Sequence, residues 1–342
     1  MSLRKVIEVL LLTWGVVNIW FQILLWLPAN WHRTDHNRHM WLYFHAAGKA
    51  AAGLPLYRPI PDYSPLQEPI GFVNPPQLAV ALIPFHGHFN IFCHVWYFVM
   101  LAALYTFAYS LARLAGDASI AGTLRAIAIL CPSPWVWSYS TLSTGNVEPI
   151  LWAMFGLASC GVQTAVFYPL MTILKPFAAW SWAIEALSAI RTGGMRALGS
   201  RSIVTGVLLF AAITLGSMAV TGPGQFVEWA HDVLPQFSQG TFSWTNFSLS
   251  MAVLRLLRLL GLWHFHGGPL PAGPRLFLSI VGICGPASTL WLTRALSTRA
   301  RAIAVFLSAL IFSPICWVYY LYYFLIPAAL FIGRRRAVQP KS

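Results

Sequence analysis

The sequence carries little charge, and acidic residues are its scarcest charged class. Charged residues make up 9% of the 342 positions and hydrophobic residues 58%, and 9 Asp and Glu stand against 22 Lys and Arg. A soluble domain has about 25% charged residues. Apolar runs approaching the roughly 20 residues of a spanning helix recur along the chain. The missing charge therefore excludes an ordinary soluble protein and indicates a polytopic membrane protein.

Cysteine pairs with metal or redox spacing are lacking as well. No C-x-x-C occurs among the 5 cysteines, which lie in apolar sequence and are typical of small buried hydrophobic residues. His32 with His36, and His86 with His88, have a spacing that metal ligands can use. Hydrogen bonding at a membrane interface is the commoner use of such histidines. We therefore predict no metal site and no cofactor.

The basic residues predict orientation rather than nucleic-acid binding. They are concentrated in short loops and at the C-terminus, near positions 191–201, 294–301 and 334–336. Short Lys/Arg-rich loops stay on the cytoplasmic side. Arg4 and Lys5 precede the first apolar run, which lacks a small-residue cleavage site at its end. We expect an uncleaved first span and cytoplasmic termini.

The apolar runs predict an all-α polytopic membrane protein with about ten transmembrane helices. The predicted spans are Val6–Pro28, Phe89–Arg113, Ile120–Trp137, Pro149–Cys160, Val162–Leu174, Phe177–Ile190, Ile203–Val220, Leu276–Leu292, Ile303–Phe312 and Trp317–Ile332. External loops fall at about 29–88 and 221–274. Apolar residues at helical spacing after Met40 predict an interfacial helix in the first loop, and Pro75-Pro76 begins another. Another amphipathic helix is expected near Ser248–Leu262. Residues 1–342 form a single domain in this prediction.

The first external loop crowds ionisable residues at one membrane face. Asp35 lies there among Arg33, His36 and Arg38, just past the first span. Ionisable groups are costly near lipid and usually mark a site. Asp35 has two interpretations, a carboxylate that favours a helix N-terminus and a general base at the water–lipid boundary.

Lys and Arg are normally concentrated in cytoplasmic loops, so cations predicted to be external require an explanation. Lys175 lies where Pro176 breaks a span, and irregular backbone at membrane depth normally lines a cavity. Arg255 and Arg258 are three residues apart and share a helix face. An anionic ligand at the outer face would explain all three residues. Snorkelling of Lys175 and anchoring of the arginines to headgroups are the alternatives.

Short motifs follow one another in a set order across nearly the whole chain. After Asp35 these are Gly53-Leu54-Pro55-Leu56-Tyr57, Asn74-Pro75-Pro76, Gly145-Asn146-Val147-Glu148, Lys175-Pro176, Asn246-Phe247-Ser248-Leu249 with Arg255, and Ser313-Pro314-Ile315-Cys316-Trp317-Val318-Tyr319. In this order the chain resembles the bacterial polyprenol-phosphate-mannose-dependent alpha-mannosyltransferases, within the C-type glycosyltransferase superfamily. Three positions depart from that pattern. Asn74 stands where an aromatic residue is usual, Glu148 where Asn is usual and Tyr319 where His is usual.

The resemblance implies that a single sugar, mannose-like, moves from a polyprenyl-phosphate donor to a lipid or glycan acceptor. The transfer would take place at the outer face of the bacterial plasma membrane, on a monomer whose other partners are membrane lipids. It makes Asp35 the catalytic base. It also implies contacts to the donor's phosphate or sugar from Tyr57, Asn146, Glu148, Lys175, Asn246, Arg255, Arg258 and Tyr319. His36 is a further candidate for orienting Asp35 or contacting the phosphate. Because of Tyr319, arabinose or another sugar stays an alternative to mannose.

The chemistry of an outer-face transfer agrees with this assignment. Nucleotide sugars are cytoplasmic, so the donor there must be lipid-linked, and its phosphate needs fixed cations where water is scarce. Asp35 would take the acceptor's proton during a direct, inverting displacement at the anomeric carbon. The sequence has no Asp-x-Asp pair, which argues against a divalent-metal nucleotide-sugar site. A lipid-linked glycan ligase or polymerase and a lipid or sugar transporter remain the alternative functions.

Overall fold

Regular structure in the described part of the chain is helical, with no β-strand. The computed structural model describes residues 3–26, 38–57, 72, 74–131, 145–194, 196, 199–234, 246–262, 270–316 and 318–338. The α-helices are α1 (Leu3–Trp20), α2 (Arg38–Ala51), α3 (Pro76–Ala81), α4 (Phe89–Leu114), α5 (Ile120–Leu130), α6 (Glu148–Ser159), α7 (Thr164–Leu174), α8 (Ala179–Gly193), α9 (Arg201–Thr221), α10 (Pro223–Glu228), α11 (Leu249–Leu259), α12 (Ala272–Leu292), α13 (Thr298–Phe312) and α14 (Leu325–Val338).

Short 3-10 and π segments extend or join these helices. A π-helical segment, Phe21–Trp26, continues α1, and a second π-helical segment, Trp229–Val233, continues α10. The 3-10 segments are Ile83–Phe85, Pro176–Ala178 and Val318–Phe324. The second of these begins at the chain break that the Lys175-Pro176 motif predicts, since a proline is well tolerated in the first turn of a helix but lacks the N–H that would continue the preceding one.

The all-helical architecture is confirmed within the described residues, and the number of about ten spans stays a prediction. Each predicted apolar segment contains a helix, although residues 132–137 of the third lie outside the described part. Four of the described helical segments are long and apolar enough to cross a membrane: Lys5–Leu24, Phe89–Leu114, Arg201–Thr221 and Ala272–Leu292. The shorter helices fall below the roughly 20 residues that a bilayer requires.

The Cα positions group the chain into two compact units. Unit 1 comprises residues 1–52, 81–167 and 322–342, and unit 2 comprises residues 53–80 and 168–321. The single domain predicted from the sequence stays a prediction.

Unit 1 is built around α4, which packs against α5, α6 and α14. The contact with α6 is close because Gly156 faces α4, where an added Cβ would lie 2.9 Å from the Ser110 side chain. Small residues allow this approach of apolar helices. The face of α2 that carries Met40, Tyr43 and Ala47 is buried in the protein. The helix itself is confirmed, and its position at the membrane interface stays a prediction.

Unit 2 pairs α13 with α8 on one side and α12 on the other. The first pair is antiparallel, because Ser188 bonds Thr298 over 2.6 Å near one end and Phe177 packs against Phe306 near the other. Thr289 of α12 donates to Ser308 of α13 over 2.8 Å. Much of α9 and α12 is exposed. Only 11% of the apolar stretch in each helix is buried inside the protein, as expected for helices that contact lipid.

Candidate functional site

The predicted base lies outside the described residues. Asp35, His36 and Arg33 all belong to the segment between 26 and 38, for which the structure supports no statement. The role of Asp35 therefore stays a prediction, and the candidate site is built from the other motif residues.

The Gly145-Asn146-Val147-Glu148 motif forms the turn that begins α6. The Asn146 side-chain oxygen accepts from the Glu148 amide over 3.2 Å, and the Gly145 carbonyl accepts from Trp96 Nε1 over 2.8 Å. Gly145 has a φ of +66°, and an added Cβ would lie 2.0 Å from Cγ of Met40. Both the left-handed backbone and the close approach require glycine here.

Glu148 is enclosed in unit 1 directly after this turn. Its side chain is 0% exposed, and Oε2 accepts from the Tyr323 hydroxyl over 3.1 Å. A carboxylate in the first helical turn is also favoured by the helix dipole. Phe155 packs edge-on against the Tyr323 ring at 5.6 Å between centroids. Glu148 therefore joins α6 to the beginning of the C-terminal helix.

Lys175 lies at the break between α7 and α8, within unit 2. Its Nζ donates to the Tyr320 hydroxyl over 3.3 Å. Tyr320 is 5% exposed and packs against Phe177 and Tyr319, with ring centroids 6.0 and 5.0 Å away. The ammonium group is thus held beside an aromatic cluster, which favours a cation near ring faces.

Two motifs that are distant in sequence meet at Asn246. The side-chain nitrogen Nδ2 of Asn246 donates to the Pro314 carbonyl over 3.0 Å. The side-chain oxygen Oδ1 accepts from the backbone amides of Cys316 over 2.8 Å and Ser248 over 3.1 Å. Ser248 then caps α11 by accepting from the Met251 amide over 3.3 Å. Asn246 is fully buried, so its side chain ties the beginning of α11 to the end of α13.

The two arginines of α11 differ in their surroundings, although they are three residues apart. Nη1 of Arg255 donates to the Asn246 carbonyl over 2.8 Å, and desolvation by burial lowers the pKa of its guanidinium. Arg258 is exposed. The structure therefore associates Arg255 with the Asn246 contact.

Tyr57 is held by two contacts in unit 2. Its hydroxyl donates to the Asn74 carbonyl over 3.0 Å, and its ring stacks on Phe72 with centroids 5.8 Å apart. Burial raises the pKa of Tyr57, and the negative charge of Glu228 raises it further. The neighbouring Leu56 amide donates to the Gln225 side chain over 2.8 Å. Two predicted motifs, at 53–57 and 74–76, are thus brought together.

The structure distributes the predicted residues over both units. Asn146 and Glu148 belong to unit 1, and Tyr57, Lys175, Asn246, Arg255, Arg258 and Tyr319 belong to unit 2. Sequence reasoning missed the partners Tyr320, Tyr323 and Gln225. The run of tyrosines at 319–323 was a usable signal for the first two, because buried Tyr hydroxyls usually find a partner.

No cluster of three or more metal-ligating His, Cys, Asp or Glu side chains lies within the described ranges. His32 and His36 are outside these ranges, so one of the two pairs with ligand spacing is not described. The described contacts consist of cations, amides and tyrosine hydroxyls. Such groups can bind an anionic phosphate by charge-assisted hydrogen bonds.

Comparison with known proteins provides one match. The family model described as Glycosyltransferase family 87 matches residues 72–314. That range covers more than two thirds of the chain and includes all the motifs from Asn74 to Pro314. No curated protein and no solved structure matches the sequence.

Proposed function

The chain belongs to glycosyltransferase family 87, and we propose that it moves one mannose-like sugar from a polyprenyl phosphate to a lipid or glycan acceptor at the outer face of the bacterial plasma membrane. Family membership and four helices of spanning length and composition make it a membrane glycosyltransferase. The donor, the acceptor, the sugar and the side of the membrane belong to the proposal.

The observation that carries the donor proposal is the contact between Lys175 and Tyr320. A polyprenyl-phosphate donor places an anion at headgroup depth while its chain stays in lipid. Lys175 supplies a cation at a break between two helices, and the buried Tyr320 hydroxyl accepts one of its three donor hydrogens. A lysine ammonium group suits a phosphate, since charge-assisted hydrogen bonds are about twice as strong as neutral ones.

Arg255 is the second cation that we assign to the donor phosphate. Nη1 of its guanidinium donates to the Asn246 carbonyl, which positions the side chain, and a positioned guanidinium loses less conformational entropy when it binds an anion. Asn246 would act through Arg255 and the α11 cap rather than by touching the sugar, because its amide bonds Pro314, Cys316 and Ser248. Arg258, which is exposed, would contact headgroups or the outer part of the donor.

The proposed reaction is one inverting displacement. An acceptor oxygen attacks the anomeric carbon, the bond from that carbon to the phosphate oxygen breaks, and Asp35 receives the acceptor's proton. Polyprenyl phosphate leaves with the bonding electrons, and its negative charge is stabilised by Lys175 and Arg255. Glu148 is enclosed by protein and would hold the turn at 145–148 and Tyr323 in place rather than contact the sugar.

Product analysis with purified protein tests this function. The protein is incubated with polyprenyl-phosphate mannose labelled in the sugar and with membrane lipid acceptors. Mass spectrometry then identifies each product, and NMR identifies its anomeric configuration. We expect the acceptor to gain one hexose, with an anomeric configuration opposite to that of the donor. Transfer of a preassembled chain would instead identify a ligase or polymerase. Movement of the donor across a vesicle membrane without a new glycosidic bond would identify a transporter.

A further inference from the structure

An apolar cavity lies at one end of unit 1, where α1, α4, α5 and α14 meet. Its volume is about 290 Å³, and most of its lining is aliphatic, including Leu11, Leu111, Ile129 and Leu325. Pockets for small ligands begin at about 300 Å³, so this one suits part of an acyl chain rather than a whole lipid. Arg125 and Arg336 are the two cations among its lining residues.

Arg125 is occupied by contacts within the protein. Nη1 donates to Glu8 of α1 over 2.5 Å, and Nη2 donates to Asp117 at the turn between α4 and α5. Its side chain is 20% exposed. Hydrogen bonding from Ser119 and the charge of Arg125 hold the pKa of Asp117 below its ordinary value, so this carboxylate stays ionised. Arg125 therefore joins three elements and has little freedom to bind a ligand.

Arg336 has a different environment at the mouth of the same cavity. Its Nη1 donates to the Ala115 carbonyl over 3.2 Å and lies 3.8 Å from Asp117. Its side chain is 49% exposed, in the last turn of α14. The guanidinium is thus positioned by the protein while much of it faces outward, beside an apolar space.

Positive charge predominates at this end of unit 1. Six cations whose side chains the structure describes lie near the ends of α1, α4 and α14 or in α5: Lys5, Arg113, Arg125, Arg334, Arg335 and Arg336. The acidic residues in the same turns are Glu8 and Asp117. Two carboxylates offset only part of six positive charges, so an anion is favoured here. The cation-rich end lies about 25 Å along α4 from Trp96 and the Gly145 turn, at about 1.5 Å per residue.

We propose that this cavity binds an anionic glycerophospholipid of the surrounding leaflet, with an acyl chain in the apolar space and the phosphate on Arg336. The acyl chain would contact the aliphatic side chains of the cavity, and the phosphate would contact the exposed guanidinium at its mouth. Basic pockets between transmembrane helices bind anionic headgroups in this manner. The site is separate from the donor site proposed above and does not depend on the transfer reaction.

Native mass spectrometry of the full-length protein with defined lipids tests the proposal. The protein in detergent is mixed with equal amounts of phosphatidylglycerol and phosphatidylcholine that carry the same acyl chains. The proposal expects phosphatidylglycerol adducts to predominate. Arg336→Gln should reduce them by about fivefold, since one cation near the surface is worth about 1 kcal/mol. The matched control is Arg334→Gln. It removes the same charge at a position two residues before Arg336, and Arg334 does not line the cavity.

A second variant tests the acyl-chain half without altering charge. Ala328 lines the cavity from the exposed side of α14, and Ala328→Phe should fill it and reduce phosphatidylglycerol adducts. Ala337→Phe is its control, since Ala337 is exposed on the same helix outside the lining. Equal losses in Arg334→Gln and Arg336→Gln would overturn the proposal in favour of general surface charge. So would unchanged binding in Ala328→Phe, or equal adducts of the two lipids in the wild-type protein.

Discussion

The Tyr323 hydroxyl donates to Oε2 of Glu148 over 3.1 Å, although the two residues are 175 positions apart in the chain. The contact lies inside unit 1, where the Glu148 side chain is wholly enclosed. Burying a carboxylate is costly unless hydrogen bonds compensate. The hydroxyl therefore contributes to stability at the point where α6 begins and the C-terminal helix approaches it.

Replacing Tyr323 by Phe removes this donor and leaves the ring in place. Hydrogen bonds to charged groups contribute about 1.5–3 kcal/mol, so Tyr323→Phe should lower the free energy of unfolding by about that amount. Thermal or denaturant unfolding of the protein in detergent measures the change. Tyr109→Phe is the control, because Tyr109 is 39% exposed on α4 in the same unit. If both variants lost the same stability, the Tyr323 bond would contribute nothing particular to folding.

Gly145→Ala tests the turn that begins α6. The variant would adopt a left-handed backbone, which costs about 1–2 kcal/mol for a residue with a Cβ, and would also meet the Met40 side chain. Gly87→Ala is the control for the first cost, because Gly87 in the same unit has a φ of +81° and nothing within 4 Å of an added Cβ. We expect Gly145→Ala to be the less stable variant in thermal unfolding.

A second substitution separates the two costs at position 145. Met40→Ala combined with Gly145→Ala should be less destabilising than the sum of the single variants, since shortening Met40 removes the side-chain atoms that a Cβ at position 145 would meet. Additive losses would mean that Met40 does not restrict Gly145.

The stability of unit 1 should depend on the ionisation of Asp117. Its pKa is lowered in the folded protein, first by the Ser119 hydroxyl and also by Arg125. A lowered folded pKa stabilises the protein above the unfolded value of about 3.9, and this stabilisation is lost as the pH falls through the folded value. The stability difference between wild-type and Asp117→Asn proteins should therefore be largest above about pH 5 and shrink below about pH 4.

Unfolding of both proteins across this pH range measures that difference. Asp232→Asn serves as the control, because the Asp232 side chain is 61% exposed outside unit 1. A difference between wild-type and Asp117→Asn proteins that stayed constant with pH would exclude the stabilising contribution of the ionised Asp117.

Asp35→Asn should abolish sugar transfer while leaving donor binding intact. A positioned general base contributes about 10²–10⁴-fold to a rate, and Asn cannot accept the acceptor's proton. Initial rates with labelled donor measure transfer, and retention of the labelled donor on the purified variant measures binding. Asp62→Asn, in the same loop predicted to be external, is the matched control. Near wild-type turnover in Asp35→Asn would remove this residue from the proposed mechanism.

Lys175→Ala should weaken donor binding by about 10–100-fold, the range expected for one charge-assisted hydrogen bond of 1.5–3 kcal/mol. Lys175→Arg keeps the charge and should retain part of the affinity. Lys49→Ala, at the end of α2, is the control for removing a lysine predicted to be external. Titration with the labelled donor measures affinity. Unchanged affinity in Lys175→Ala would favour snorkelling to the interface as the role of this residue.

Several elements of the fold could be predicted because their signals are local. The helix predicted over Phe89–Arg113 is observed as Phe89–Leu114, since a long apolar run bounded by polar residues has few alternatives. The break at Lys175-Pro176 was equally predictable from the restricted backbone of proline. The shorter apolar runs predicted helices but not spans, because a run of 11 to 15 residues suits a buried helix as well as a lipid-exposed one.

Contacts of the candidate site between distant residues were beyond the reach of these local signals. The Asn246-Phe247-Ser248-Leu249 motif was recognisable, but its three bonds to Pro314, Cys316 and Ser248 depend on how α11 and α13 pack. Tyr320 became a partner of Lys175 only through folding, across 145 positions. Sequence spacing alone does not determine which of several neighbouring tyrosines faces a given cation.

The sequence by itself determined that this protein is an all-helical membrane protein with a helix in each predicted apolar run, because composition, periodicity and proline act within a few residues. Only the tertiary structure decided that Glu148 is enclosed beside Tyr323, that Arg255 is fixed by Asn246, and that Arg336 borders an apolar cavity. The physical reason is that burial and hydrogen bonding depend on packing between segments far apart in the chain, which no local pattern encodes.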